Sequence, residues 1–325
     1  MNAVTVLALE TALASSVSIT IDVLAMANRI CEGEGKSVPF AIRLVGTGAH
    51  LFRPFLVFPE SDHQSSDLMI VPAQGFSKAP TFSERLAERD VEDARREVRL
   101  AYGGGAHIAS SCTGTLLLAR EGLLDGRNAT TAWWLAPVFA ELFPQVRLNT
   151  SELILTDGRV TTAGAAMAQM DMMVGLIARF AGASVADACM RRMVLDERRS
   201  QTPYMAIGLL AATNESVAKA AAWARPRLQC PIGVNDLADA VGLSPRTFAR
   251  RVASATGMPP VQFLQHLRLE RALELLETTH LPFEEIAYRV GYSDPSTLRF
   301  LIRRSLDVSP RELRNRTRSK RIEAF

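Results

Sequence analysis

The stretch Asp236-Leu-Ala-Asp-Ala-Val-Gly-Leu-Ser-Pro-Arg-Thr-Phe248 recurs, altered, as Glu285-Ile-Ala-Tyr-Arg-Val-Gly-Tyr-Ser-Asp-Pro-Ser-Thr-Leu298. Ala238 matches Ala287 and Gly242 matches Gly291, and one extra turn residue in the second copy brings Phe248 into line with Leu298. Each residue type has a mechanical reason. A small alanine lets one helix approach the next, a glycine supplies the left-handed backbone of a tight turn, and Ser244 or Asp294 caps the next helix. Pro245 and Pro295 then fall at the first helical position, where a missing N–H costs nothing. The spacing predicts two helix-turn-helix units, with Phe248 and Leu298 anchored inward. One match of this length arises easily as a helical hairpin, whereas two in register are far harder to obtain by chance.

The charge distribution agrees. The chain of 325 residues has a formal net charge of +3. Residues 1–200 carry 19 Lys and Arg against 22 Asp and Glu, while residues 201–325 carry 18 against 12. A basic C-terminal part suits a polyanionic partner. With 48% hydrophobic residues, disorder is excluded and two cores are expected. The most apolar run, Val160 to Ala178, contains Asp171, so no membrane span is expected. The start, without a basic segment before its apolar run, does not read as a signal peptide, and a cytoplasmic location is expected. Cys31, Cys112, Cys189 and Cys230 lack metal-ligand or disulfide spacing, so neither metal nor cofactor is expected.

Working back toward the N-terminus, apolar β-rich runs alternate with helical patterns. Val4–Leu9, Phe40–Gly46, Asp67–Pro72, His107–Cys112 and Arg159–Gly164 read as strands, with Asn149–Thr156 adding another before a turn at Asp157-Gly158. Ile19–Ile30, Thr81–Tyr102, Gly114–Gly122, Ala132–Phe143 and Ala166–Ala181 read as helices. This is an α/β pattern, a doubly wound and mostly parallel sheet, followed from about Ala183 by helices alone. The polar run Asp196–Tyr204 suggests a linker. Residues 1–195 are therefore expected to form one domain, 196–215 a linker, and 216–325 a second, all-α domain.

Over about Gln229–Arg316 the chain resembles the AraC/XylS family of transcription regulators. The resemblance rests on both repeats, on Pro259 with Phe263, on Arg268-Leu-Glu-Arg-Ala-Leu-Glu-Leu-Leu276, and on Val308-Ser-Pro-Arg-Glu-Leu-Arg314. It implies a linking helix around Arg268–Glu277 and two recognition helices entering successive major grooves about 34 Å apart on double-stranded DNA. Carried over by position, Arg246, Ala249, Arg250, Ser296, Arg299 and Phe300 face bases, and Thr247, Arg251, Thr297, Arg303 and Arg304 contact phosphates. Two positions depart from the family pattern. Asp307 stands where glycine is common, and Phe300 stands where a polar or basic residue is common, so it either meets a thymine methyl or packs inward. The basic tail Arg311–Arg321 reads as a solvated end.

Upstream, Ile108-Ala-Ser-Ser-Cys-Thr-Gly-Thr-Leu-Leu-Leu118 runs from strand through a small-residue turn into helix, the layout of a nucleophile elbow carrying Cys112. A buried, inert cysteine at a strand end is the plain alternative. With Glu121–Thr131, Phe139, Phe143-Pro144 and Val160–Gly164 before Asp171, this part resembles the DJ-1/PfpI-like domain, a relative of class I glutamine amidotransferases, in the version fused to AraC-type domains in GlxA-family regulators.

That resemblance implies a histidine before Trp133, and Ala132 stands there instead. His50, His63 and His107 occupy no matching position, and strand alternation does not aim His107 into the elbow. Without a base for the thiol, hydrolysis and amidotransfer are not expected, and a retained binding pocket is. Asp22, Gln74, Gly75, Cys112, Thr113, Gly114, Ala132 and Trp133 are its expected lining, with Asp22 either pairing an amine or capping its helix. Asp171, among methionines, reads as structural. The resemblance further implies a small nitrogen-containing effector (an amino acid, amine or betaine) and a homodimer formed through this domain. The alternatives are a thiol enzyme or redox sensor centred on Cys112, and a constitutive DNA-binding dimer.

Overall fold

The computed structural model describes residues 1–325 except 59, 63–64, 76–81, 197, 307 and 315–325. His63, Asp307 and most of the basic tail thus lie outside the described residues. Contacts divide the chain into two units, Met1–Leu135 with Leu142–Arg198, and Ala136–Glu141 with Arg199–Phe325.

In the first unit, strands β1 (Asn2–Leu7), β2 (Phe40–Val45), β3 (Leu68–Val71), β4 (His107–Ser111), β5 (Ile154–Asp157) and β6 (Val160–Ala163) form one sheet in the order β2-β1-β3-β4-β6-β5. All neighbours are parallel except β5, which returns antiparallel to β6 through a turn where Gly158 has a φ of +61°. The register sets Val4 beside Ile42 and Leu68, and Ile70 beside Ala109. Alternate residues face opposite sides of the sheet. Val4, Val6, Ile42, Leu68 and Ile70 therefore share one core with helices Ala14–Gly33, Ala168–Ala181 and Ala183–Met193. Helices Arg89–Gly103 and Thr115–Arg120 pack with β4 away from that core. Burial on both faces is why these strands read as continuous apolar runs.

Thr81–Tyr102, read as one helix, is two: Phe82–Arg85 and Arg89–Gly103. The interruption follows from Arg85, whose buried guanidinium bonds Glu88 and Asp90 from Nη1 and Thr11 from Nη2. A continuous helix would leave Glu88, three residues on, beside Arg85 but would carry Asp90, five residues on, to another face.

The second unit is helical. Ile207–Ala212, within the stretch read as linker, forms a helix with Ile207, Leu210 and Ala211 buried. Glu215–Ala224 comes next, its N-terminus capped by Asn214 Oδ1, which accepts from the Ser216 and Val217 N–H groups. The first repeat folds as Val234–Asp239 and Pro245–Thr256, the second as Phe283–Arg289 and Pro295–Leu306, with Pro260–Thr278 joining them. Gly242 and Gly291 have φ of +65° and +84°, the conformation that the turn demands. Ala238, Phe248, Ala287 and Leu298 are fully buried. Residues 310–314 are helical and open on a reciprocal cap, Ser309 N–H to Glu312 Oε2 and Glu312 N–H to Ser309 Oγ.

Candidate nucleic-acid interface and elbow cluster

Helix Pro245–Thr256 starts at Ser244, whose Oγ accepts from the Thr247 N–H at 3.3 Å. From that cap, Phe248 and Val252 turn into the core while Arg246 and Arg250 are exposed; Thr247 and Ala249 are half-buried at the helix margin. Helix Pro295–Leu306 starts at Asp294, whose carboxylate accepts from the Ser296 N–H at 2.9 Å and from the Ser296 hydroxyl. Those bonds hold the Asp294 carboxyl below its ordinary range. Leu298 and Ile302 turn inward, and Ser296, Thr297, Arg299, Phe300, Arg303 and Arg304 are all exposed. Phe300 retains 63% of its accessible surface, so the inward-packing alternative is set aside. Arg299 lies over the Phe283 ring, 5.2 Å from its centroid, with Glu284 3.9 Å away.

Arg251 is placed differently from its neighbours. Half-buried, its Nη1 donates to the Ser216 hydroxyl on helix Glu215–Ala224. Sequence spacing did not reveal this, because Ser216 lies 35 residues away.

In the first unit, Cys112 follows β4 and opens a tight turn to Gly114 with a φ of +51°, a left-handed conformation that a side chain rarely adopts. Its carbonyl accepts from Thr115 Oγ1 at 2.6 Å and Thr131 Oγ1 at 2.7 Å, which fixes the strained turn. Gly114 is required there, since a Cβ would fall 2.6 Å from the Pro72 carbonyl oxygen. Thr113 ties the elbow to the loop after β3, accepting from the Gln74 N–H and donating to the Gln74 carbonyl.

Hydrogen bonds and packing bring Gln74, Cys112, Thr113 and Ala132 together at the elbow, with Gly114 in its turn, while Asp22 is exposed on its own helix. The gathered region is packed. Cys112 and Ala132 share an apolar cluster with Ala73 and Leu135, all buried. Burial pushes the Cys112 thiol up, against hydrogen bonds from the Thr113 backbone and hydroxyl and the Ala166 backbone. His107 sits at the other end of β4, bonded through Nε2 to Thr161 Oγ1 at 2.8 Å with its ring edge toward Phe180. Asp171, read as structural, is gripped by Arg198 through Nε at 3.2 Å and Nη2 at 2.5 Å. Among the described residues, no cluster of three His, Cys, Asp or Glu side chains is arranged to hold a metal ion, and no helix is long and apolar enough to cross a membrane.

With this geometry in hand, known proteins give the class. Residues 237–316 match the helix-turn-helix domain family model. The HTH-type transcriptional regulator GbdR of Pseudomonas aeruginosa is 29% identical over 213 residues, covering 65% of this chain and 58% of GbdR. The HTH-type transcriptional regulator GlxA of Rhizobium meliloti is 28% identical over 219 residues, 66% of this chain and 67% of GlxA. Among solved structures, Drosophila melanogaster DJ-1beta aligns over 60% of this chain and 99% of its own at 17% identity, with a TM-score of 0.43. Residues 237–316 thus carry a helix-turn-helix domain, and the longer match is to GlxA-like transcriptional regulators.

Proposed function

We propose that this chain is a sequence-specific DNA-binding transcription regulator, its second unit reading two successive major grooves and its first unit serving as a catalytically silent sensor and dimerisation domain. The carrying observation is the pair of capped helices that bury Phe248 and Leu298 while exposing Arg246 and Arg250 on one and Ser296, Arg299 and Phe300 on the other. Arginine reads guanine in the major groove, and an exposed phenyl ring suits a thymine methyl. Arg303 and Arg304, one turn further on, suit phosphates, while the Ser216 contact gives Arg251 a structural role as well. The buried thiol of Cys112 and the absence of a histidine before Trp133 favour sensing over catalysis. The effector belongs to the small nitrogen-containing metabolites, and the protein works in the cytoplasm as a homodimer.

The test is selection of bound fragments from genomic DNA at fixed salt, since phosphate contacts alone imitate affinity. A few sites sharing a two-groove motif are expected, and sequence-blind binding overturns the reading. Arg250→Ala lowers affinity by about 1–3 kcal/mol and relaxes preference at one base position. Arg251→Ala weakens all sequences alike and also lowers the melting temperature.

A further inference from the structure

Apart from the elbow, a second feature of the first unit has the dimensions of a ligand site. Between helices Ala168–Ala181 and Ala183–Met193 lies a cavity of about 600 Å³. That falls within the range of about 300–1,000 Å³ typical of small-molecule pockets. Its walls are Met170, Val174, Ala178, Ala186 and Met190, with Ile154 of the edge strand contributing to the lining.

The chain folds back over this groove after the second helix. Val194 takes a left-handed φ of +53° while 91% exposed, and the Leu195 N–H reaches back to the Met190 carbonyl at 3.0 Å. A β-branched residue in that conformation is strained, so contacts made beyond Val194 must hold the reversal in place. Leu195, Asp196 and Arg198 join the lining as a result.

The charge of the lining selects the occupant. Among the described residues of the lining, Asp171, Asp187 and Asp196 oppose a single cation, Arg198. Asp171 is the inner carboxylate, its side chain 11% exposed, and Arg198, 38% exposed, grips it from the solvent side. Burial alone would raise the Asp171 carboxyl, and the Arg198 guanidinium offsets part of that.

We infer that this groove binds a small organic amine with an apolar body, its ammonium taking the place of Arg198 on Asp171 and its hydrocarbon lying along Val174 and Met190. A carboxylate so enclosed is costly without a cation, so displacement of one cation by another is nearly isoelectric, and the added gain is burial of the ligand's apolar surface. An anionic ligand would face the two remaining carboxylates. Arg198 is the last residue of the first unit, so its release frees the start of the connection to the DNA-binding unit. This last step rests on the regulator reading; binding in the groove does not.

The test uses the full chain and calorimetric titration with n-hexylamine, hexanoate and hexanol. Hexylamine should bind with hexanoate silent and hexanol weaker. Gly175 lines the groove, and a Cβ there would meet nothing within 4 Å, so Gly175→Leu places a side chain at the groove. Gly175→Leu and, as an independent filling variant, Ala178→Leu should abolish binding, and Asp171→Asn should weaken it by about tenfold, the scale of one charge-assisted hydrogen bond. Folding of each variant is checked by its thermal transition. No heat with hexylamine, equal binding of hexanoate, or binding unchanged in both leucine variants overturns the proposal, the last placing the amine at another site such as the elbow. Because titration needs no DNA, failure of DNA selection with hexylamine still bound removes the regulator reading and leaves the groove.

Discussion

The guanidinium of Arg268 lies over the ring of Tyr292, 5.4 Å from its centroid, while its Nη2 donates to the Ile232 carbonyl at 3.1 Å. Ile232 stands just before the first helix of the first repeat and Tyr292 stands in the turn of the second, so one side chain on the joining helix Pro260–Thr278 holds both repeats. Gly291 makes room for it, since a Cβ there would sit 3.2 Å from the guanidinium and against the Leu228 carbonyl. Arg268→Ala is expected to destabilise the protein by about 1–3 kcal/mol, the cost of a lost charged hydrogen bond and cation–π contact. It should also weaken binding to a two-groove DNA site more than to a single half-site. Equal loss on both would mean that Arg268 does not set the spacing of the recognition helices.

Two aromatic side chains on the second helices of the two repeats should respond in opposite ways. Phe248 is fully buried, and Phe248→Ala should cost about 3–5 kcal/mol of stability by leaving a cavity. Phe300, exposed on the other helix, should change stability on truncation by no more than about 0.5 kcal/mol. DNA binding of Phe300→Ala should nevertheless fall, most on sites with thymine at the contacted position. Chemical denaturation and a base-substituted operator series measure both.

Acidification should destabilise the first unit through His107. Burial, then the charges of Arg179 and Arg159, lower this imidazole from 6.5 to about 4. Thr161 and Phe180 complete its surroundings. Because the folded value lies below the unfolded one, the unfolded chain binds the extra proton between them. Stability from this residue is complete above pH 6.5 and is lost as pH falls toward 4. The loss amounts to roughly 3 kcal/mol. His107→Gln should flatten that part of the stability profile, and an unchanged slope would assign the effect to other groups.

Thiol labelling should order the cysteines by burial. Cys230 is exposed and should react first, whereas Cys112, buried with its thiol raised, should react more slowly than an unfolded-peptide thiol at the same pH. Rapid alkylation of Cys112 would revive the reading of a working thiol enzyme or redox sensor.

Several features were legible before any coordinates because they are local. Gly242 and Gly291 announce left-handed turns, Ser244 and Asp294 announce caps, and the continuous apolar runs at Leu68–Val71 and His107–Ser111 announce doubly buried strands. The helix at Ile207–Ala212 was hidden by the polar residues and proline just before it, and is stabilised by burial of Ile207 and Leu210. The break after Arg85 was hidden because its cause includes Thr11, 74 residues away. At the elbow, spacing placed Cys112 and Gly114 at the turn, but not that Ala132 and Leu135 would pack the space beside them.

The sequence by itself determined the two repeats, the parallel sheet and the missing histidine, since backbone sterics, capping and period-two or period-four patterning act over a few residues. Only the tertiary structure decided that Arg251 turns to Ser216, that Phe300 stays exposed, and that Arg198 closes on Asp171 over an open groove. Those outcomes depend on partners tens of residues apart, and they are set by which long side chain reaches which buried polar group once the helices have packed.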